Sequence, residues 1–183
     1  MKRLFIMISL VLAFALNATS QVYITKNGKI SFFSATSVEN IDAVNNQAVS
    51  ILNAGTGDIG FSVIIKGFLF KKALMQEHFN EDNMESDKFP KAIFKGVIAD
   101  IIKVNFNKDG DYAVKVSGDM TMHGITQKIA VNATISIKAG KVSASSEFNL
   151  LRTDYKISMP KLTENNVSKS MRIKVACIYE PRK

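Results

Sequence analysis

Two histidines, one cysteine and a scatter of carboxylates are the residues of this 183-residue chain that could do bond-making chemistry. A zinc centre takes about three protein ligands backed by a second layer of hydrogen bonds, and His78, His123 and either Glu77 or Glu85 could supply that number. His78, however, falls on the apolar side of a short helical pattern and His123 stands beside Gly124 at a strand end. Both are read as structural histidines, and no metal is expected. Ser117, Thr121 and Thr126 lie near His123, but no G-x-S-x-G elbow or orienting aspartate accompanies them. Asp119 and Asp154 have no second carboxylate at a readable spacing. No catalytic residue is assigned, and the chain is read as a non-enzyme without a cofactor.

Two further motifs dissolve on inspection. Gly55-Thr56-Gly57-Asp58-Ile59-Gly60 has the spacing of the dinucleotide fingerprint, whose last glycine opens a helix that holds a pyrophosphate. Here Phe61-Ser62-Val63-Ile64-Ile65 follows, a strand pattern, so the glycines are read as a hairpin turn. Cys177 is in register with Met171, Ile173, Val175 and Tyr179 and is read as a buried thiol.

What remains is chemistry by burial. Phe32, Phe61, Phe94 and Phe148 lie on strand patterns, and Met75, Phe79, Met84 and Phe89 fall in one inserted segment. Each alone has an ordinary reading as core. Together they are rich in Met and Phe and, in a chain with no Trp, form a lining that can reshape around a long apolar ligand.

The elements that must position them are mostly strands. Period-two alternation runs from Gln21 onward and is clearest at Ile129, Val131, Ala133, Ile135 and Ile137, and at Val142, Ala144, Phe148 and Leu150 across the Ala139-Gly140 turn. Asn27-Gly28 reads as a hairpin, Asp109-Gly110 as another joining Ile101–Asn107 to Asp111–Met122, and Ile59–Phe70 as one strand. Val38–Leu52 is a long strand bulged near Asn45-Asn46, or partly helical, and Leu151–Ser170 is an irregular connection. Residues 75–94 interrupt the strands: Leu74, Met75, His78 and Phe79 share the apolar face of a short helix starting near Lys72, and Pro90 returns the chain to a strand.

About eight antiparallel strands with one apolar face each predict an all-β fold closed on itself as an eight-stranded barrel with one short helical insertion. A sandwich is the alternative.

Residues 1–20 combine Lys2 and Arg3, an apolar run over Leu4–Leu16 and a small-residue exit. That is the pattern of a cleavable signal peptide. A run of thirteen residues is too short to span a bilayer, so no membrane segment is expected after cleavage, and residues 21–183 are expected to form one domain, periplasmic or secreted. Removing Lys2 and Arg3 lowers the net charge from +8 to +6. The remaining Lys and Arg are scattered singly at alternate strand positions, a solvated face rather than a nucleic-acid stripe.

The segments HFNEDNMESDKFPKAIFKG and SGDMTMHGIT resemble the paired signature of the YceI-like family: a histidine-led helical insertion with an aromatic-Pro pair, then a G-[DE]-hydrophobic-T-hydrophobic-H-G-hydrophobic-T run. The resemblance covers most of the chain after residue 20. It implies an exported, lipocalin-like antiparallel barrel with an elongated cavity for an isoprenoid-type lipid. It places ligand contacts at Met75, His78, Phe79, Met84, Phe89 and Phe94 and makes Met120–Thr126 a structural signature; a few polar groups at the mouth, His78 a candidate among them, would add specificity. Where the family has a D-F-G segment this chain has Asp154-Tyr155-Lys156, which implies a remodelled, shortened or side-chain-filled cavity. The expected partner is an apolar lipid, isoprenoid or fatty-acyl, with no nucleic acid. A filled barrel serving as a structural or protein-interaction module is the competing reading, and a homodimer is an open possibility.

Overall fold

The computed structural model describes residues 21–37, 40–159 and 167–182. The signal peptide expected over residues 1–20, and Pro160 in the late connection, lie outside the described residues. The elements follow in the order β1 (Val22–Ser34), β2 (Ile41–Asn53), β3 (Asp58–Ile64), β4 (Leu69–Phe70), α1 (Ala73–His78), β5 (Lys91–Ile98), β6 (Gly110–Met122), β7 (Ile125–Lys138), β8 (Lys141–Leu151) and β9 (Ser170–Pro181).

Eight antiparallel strands close into a barrel in the order β1-β9-β8-β7-β6-β5-β3-β2, and β1 pairs with β2 to complete the ring. Closure leaves these strands no free edge, which removes the usual route to edge-on aggregation. The two-residue β4 pairs outside this circuit, with Ala43 and Val44 of β2. Side chains of period two then fall into an apolar interior and a wet exterior. Inside, one cluster built on Leu52, Ile135, Ile137, Val142 and Tyr179 fills one end. A second, with Ile65, Phe68, Met84 and Tyr155, lies under α1 at the other.

Three local expectations need correction. Asn27-Gly28 is not a hairpin: β1 runs through it, and the register against β2 slips between Thr25 and Gly28 as a bulge. The glycine is required by proximity instead, since a Cβ there would stand 2.9 Å from Cys177 Sγ and 3.0 Å from the Ala48 carbonyl oxygen. Asp109-Gly110 does not fold Ile101–Asn107 onto β6 either. Ile101–Lys103 form a 3₁₀ turn, Val104 closes the filled end, and the Asp109 carboxylate accepts the Ala139 N–H at 3.0 Å. Finally, Ile59–Phe70 is broken at Ile64, where a 3₁₀ turn over Ile65–Gly67 diverts the chain toward β4. The Asn45 amide, fully buried, bridges that break by donating to the Ile64 carbonyl at 2.9 Å.

Other expectations hold. Of the expected Val38–Leu52, Val38 lies outside the described residues and Ile41 onward is the strand β2; a second register shift opposes Asn46 and Gln47 to the single Lys29, placing the bulge where the asparagines suggested it. Residues 54–56 form the β2–β3 turn expected of the glycine-rich stretch. Cys177 is buried, and desolvation pushes its thiol up to about 11.

Candidate functional site

A cavity of about 550 Å³ occupies the barrel between the two clusters. Its size suits a small ligand, since binding cavities run to about 300–1,000 Å³. The interior is thus packed solid at one end and hollow beneath the inserted segment at the other. Of the lining side chains, those with polar groups are Ser34, Thr36, His78, Asp82, Asn83, Ser145, Ser146 and Arg152; the rest are apolar.

The cover is the inserted segment. Six residues of α-helix are too few to stand unaided in water, and Lys72 provides no side-chain cap. The helix passes into a π turn over Phe79–Asn83, closed by the Met84 N–H on the Phe79 carbonyl at 2.9 Å. Such π turns recur at functional sites. Phe79 holds the cover down: its ring lies 4.9 Å from Phe70, 5.5 Å from Phe32 and 5.8 Å from Phe68 between centroids. Aromatic pairs at these separations add to the area they bury. Met84 is buried at 3% exposure. Leu74, expected on the apolar face, points outward at 62% exposure, because β4 and the barrel mouth engage the Met75 and Phe79 side of the helix.

Of the nine residues singled out for ligand contact, Phe32, Phe61, Met75, His78, Phe79, Met84, Phe94 and Phe148 line the cavity. Phe89 is not among the lining residues. Its ring packs edge-on against His123 at 4.8 Å and blankets Gly124, where a Cβ would come within 2.7 Å of it. His78 sits at the rim, its Nδ1 2.7 Å from Asp82 across one helical turn. Ser34, the last residue of β1, also lines the cavity; it is 3% exposed and its hydroxyl has no hydrogen-bond partner among the described residues.

Not among the residues expected to touch a ligand were the inner residues of the far wall, including Met120, Val131, Ala133, Ala144 and Val175. Their signal was present, since they share inward parity with Phe148 and Ile173. They were passed over because alternation names a face and not a depth.

His123 ties the base of the insertion to the barrel. His123 and Gly124, at φ 52° and 74°, make the tight turn between β6 and β7. Nδ1 faces the Tyr155 carbonyl oxygen at 3.0 Å and Nε2 faces the Glu85 carboxylate at 2.9 Å. Both partners are acceptors, so both bonds form only when each ring nitrogen carries a hydrogen. The His123 hydrogen bond, helped by Lys88, holds the Glu85 carboxyl below its ordinary value of 4.5. A carboxyl that is harder to protonate when folded stabilises the fold above that pH and loses its contribution as pH falls below 4.5 through the folded value. Melting temperature of the wild-type chain is therefore expected to fall more steeply below pH 4.5 than that of Glu85→Gln. Parallel curves for the two proteins would show that this latch is energetically silent.

Among the described residues, no three His, Cys, Asp or Glu gather to hold a metal ion, and no helix is long and apolar enough to cross a membrane. What the arrangement can do chemically is enclose an apolar chain under an aromatic cover, with His78 and Asp82 at one rim and Ser146 on the wall near the filled end.

A sequence model described as YceI-like domain matches residues 13–178. No curated protein matches the chain. Among solved structures, the polyisoprenoid binding domain from Saccharophagus degradans, implicated in plant cell wall breakdown, superposes with a TM-score of 0.76 at 11% identity, covering 88% of this chain and 98% of that one. BcnA of Burkholderia cenocepacia gives 0.70 at 14% identity over 84% and 96%. The YCEI protein of Campylobacter jejuni gives 0.54 at 17% over 75% and 81%. At these identities the likeness speaks for the fold.

Proposed function

Because this chain belongs to the YceI-like family, we propose that it is an exported, non-enzymatic binding protein that encloses an apolar lipid chain, isoprenoid or fatty-acyl, within a single domain spanning residues 21–183. The observation that carries this reading is the covered apolar cavity of about 550 Å³. A polyisoprenoid binding domain among its structural neighbours supports the ligand class. Residues 1–20 would direct the chain to the periplasm or outside the cell. His78, with Asp82 at the rim and Ser34 in the lining, would face the polar end of the ligand, while Phe32, Phe61, Phe79, Phe94 and Phe148 contact its chain.

Magnitudes favour useful affinity. Burying roughly fifteen methylene groups contributes about 12 kcal/mol. Association costs at least about 4 kcal/mol, leaving at most about 8 kcal/mol, so the complex is micromolar at its tightest on this count. Native mass spectrometry of protein exported and purified without detergent tests the proposal. The expected result is an adduct of lipid mass, or its formation on adding acyl or prenyl chains. A bare protein mass that persists with every chain added would defeat it.

A further inference from the structure

We propose that Ala144, with Ala133 one step nearer the mouth, is the stop against which the end of the ligand chain rests, so that these two alanines set the chain length the protein accepts. This rests on the carrier function proposed above.

Three neighbouring strands place the end of the cavity at one level. Along β9 the inward residue Val175 is half-buried and lines the cavity, whereas Cys177 and Tyr179 beyond it are 2% and 3% exposed and do not. Along β7 the change falls between Ala133 and Ile135, and along β8 between Ala144 and Val142. Register makes the boundary sharper. Ala144 pairs across the sheet with Ile135 on one side and Cys177 on the other. Both of those flanking residues are buried in the filled end, yet Ala144 still faces the cavity. An alanine between two larger side chains leaves a notch, and that notch is the deepest point of the chamber on this wall. Above it, Ala133 stands opposite Ser146, again two small residues in register.

Depth implies length. A chamber of about 550 Å³ with a packed floor takes only a chain of limited length. Each carbon that fits adds about fourfold to affinity, and carbons that do not fit add nothing. Ala144→Leu places three heavy atoms in the notch and so removes space for about three carbons.

The test is a competition series against a fluorescent acyl probe, using straight-chain fatty acids and prenyl alcohols of graded length, on the full mature chain. Wild-type affinity is expected to climb with length and level off once the chain fills the chamber. In Ala144→Leu the break should come about three carbons earlier, with loss of about 50-fold for the longest chains the wild type accommodates and under about twofold for chains well short of the break. Ala133→Leu should move it further when combined. Ala144→Val gives a smaller step should the leucine disturb folding, and Asn132→Leu, on the exposed face beside Ala133, controls for added bulk. A break that stays put in both Ala144 variants, affinity that climbs without a break, or an equal shift in Asn132→Leu would overturn the stop. Failure of the wild type to bind any chain would instead remove the carrier function beneath it.

Discussion

Replacing Phe79 with alanine is expected to free the cover over the cavity while the barrel stays folded. The helix α1 is too short to persist alone, and Phe79 is the ring that joins it to Phe32, Phe68 and Phe70. Full burial of a phenylalanine makes its truncation cost about 3–5 kcal/mol. Phe79 is half-buried, so about 2 kcal/mol is the better figure. That loss falls on the cover, because the eight-strand ladder makes no use of the ring. Amide exchange over residues 73–83 should quicken, and release of a bound apolar dye or lipid should accelerate about 30-fold. The barrel amides of β6 to β8 should keep their protection. Unchanged exchange and release would mean that Met84 and the hydrogen bonds of the π turn hold the segment without the aromatic anchor.

Gly118→Ala is expected to damage the barrel itself. Gly96 and Gly118 face each other across β5 and β6. A Cβ on Gly118 would overlap the Lys95 carbonyl oxygen and the Gly96 Cα, both main-chain atoms with no rotamer to yield. Overpacking that forces backbone shifts costs about 1–3 kcal/mol, occasionally more, and a backbone clash of this kind belongs at the upper end. For a chain of this length about 3 kcal/mol lowers the melting temperature by about 6–12 °C. Gly140→Ala is a useful contrast on space alone, since nothing lies within 4 Å of a Cβ there, although its φ of 74° still strains an alanine. A Gly118→Ala protein that melts with the wild type would show that β5 and β6 can spread at this point.

Much of this protein is legible in its sequence. Alternation over Ile129–Ile137 and Val142–Leu150 identified β7 and β8 and the turn at Ala139-Gly140, whose φ angles of 49° and 74° suit so short a connection. The strand count predicted a barrel, the broken alternation over residues 75–94 marked an insertion that gives way to β5 at Lys91, and the paired motifs pointed to the family. These are local properties: the pleat repeats every two residues whatever lies across the sheet. Long-range pairing decided the rest. Asn27-Gly28 has the local chemistry of a hairpin, but β9 and β2 close on that point so tightly that only a bulged glycine fits between Cys177 and Ala48. Phe89 looked equivalent to Phe79 in sequence and was set on the His123 turn because β6 and β7 bring His123 to the base of the insertion. Ala144 was indistinguishable from any other inward alanine until Ile135 and Cys177 arrived on either side of it. Periodicity tells which face a side chain takes, whereas its height along the barrel, and so whether it meets packed core or open cavity, depends on the register of strands distant in the chain.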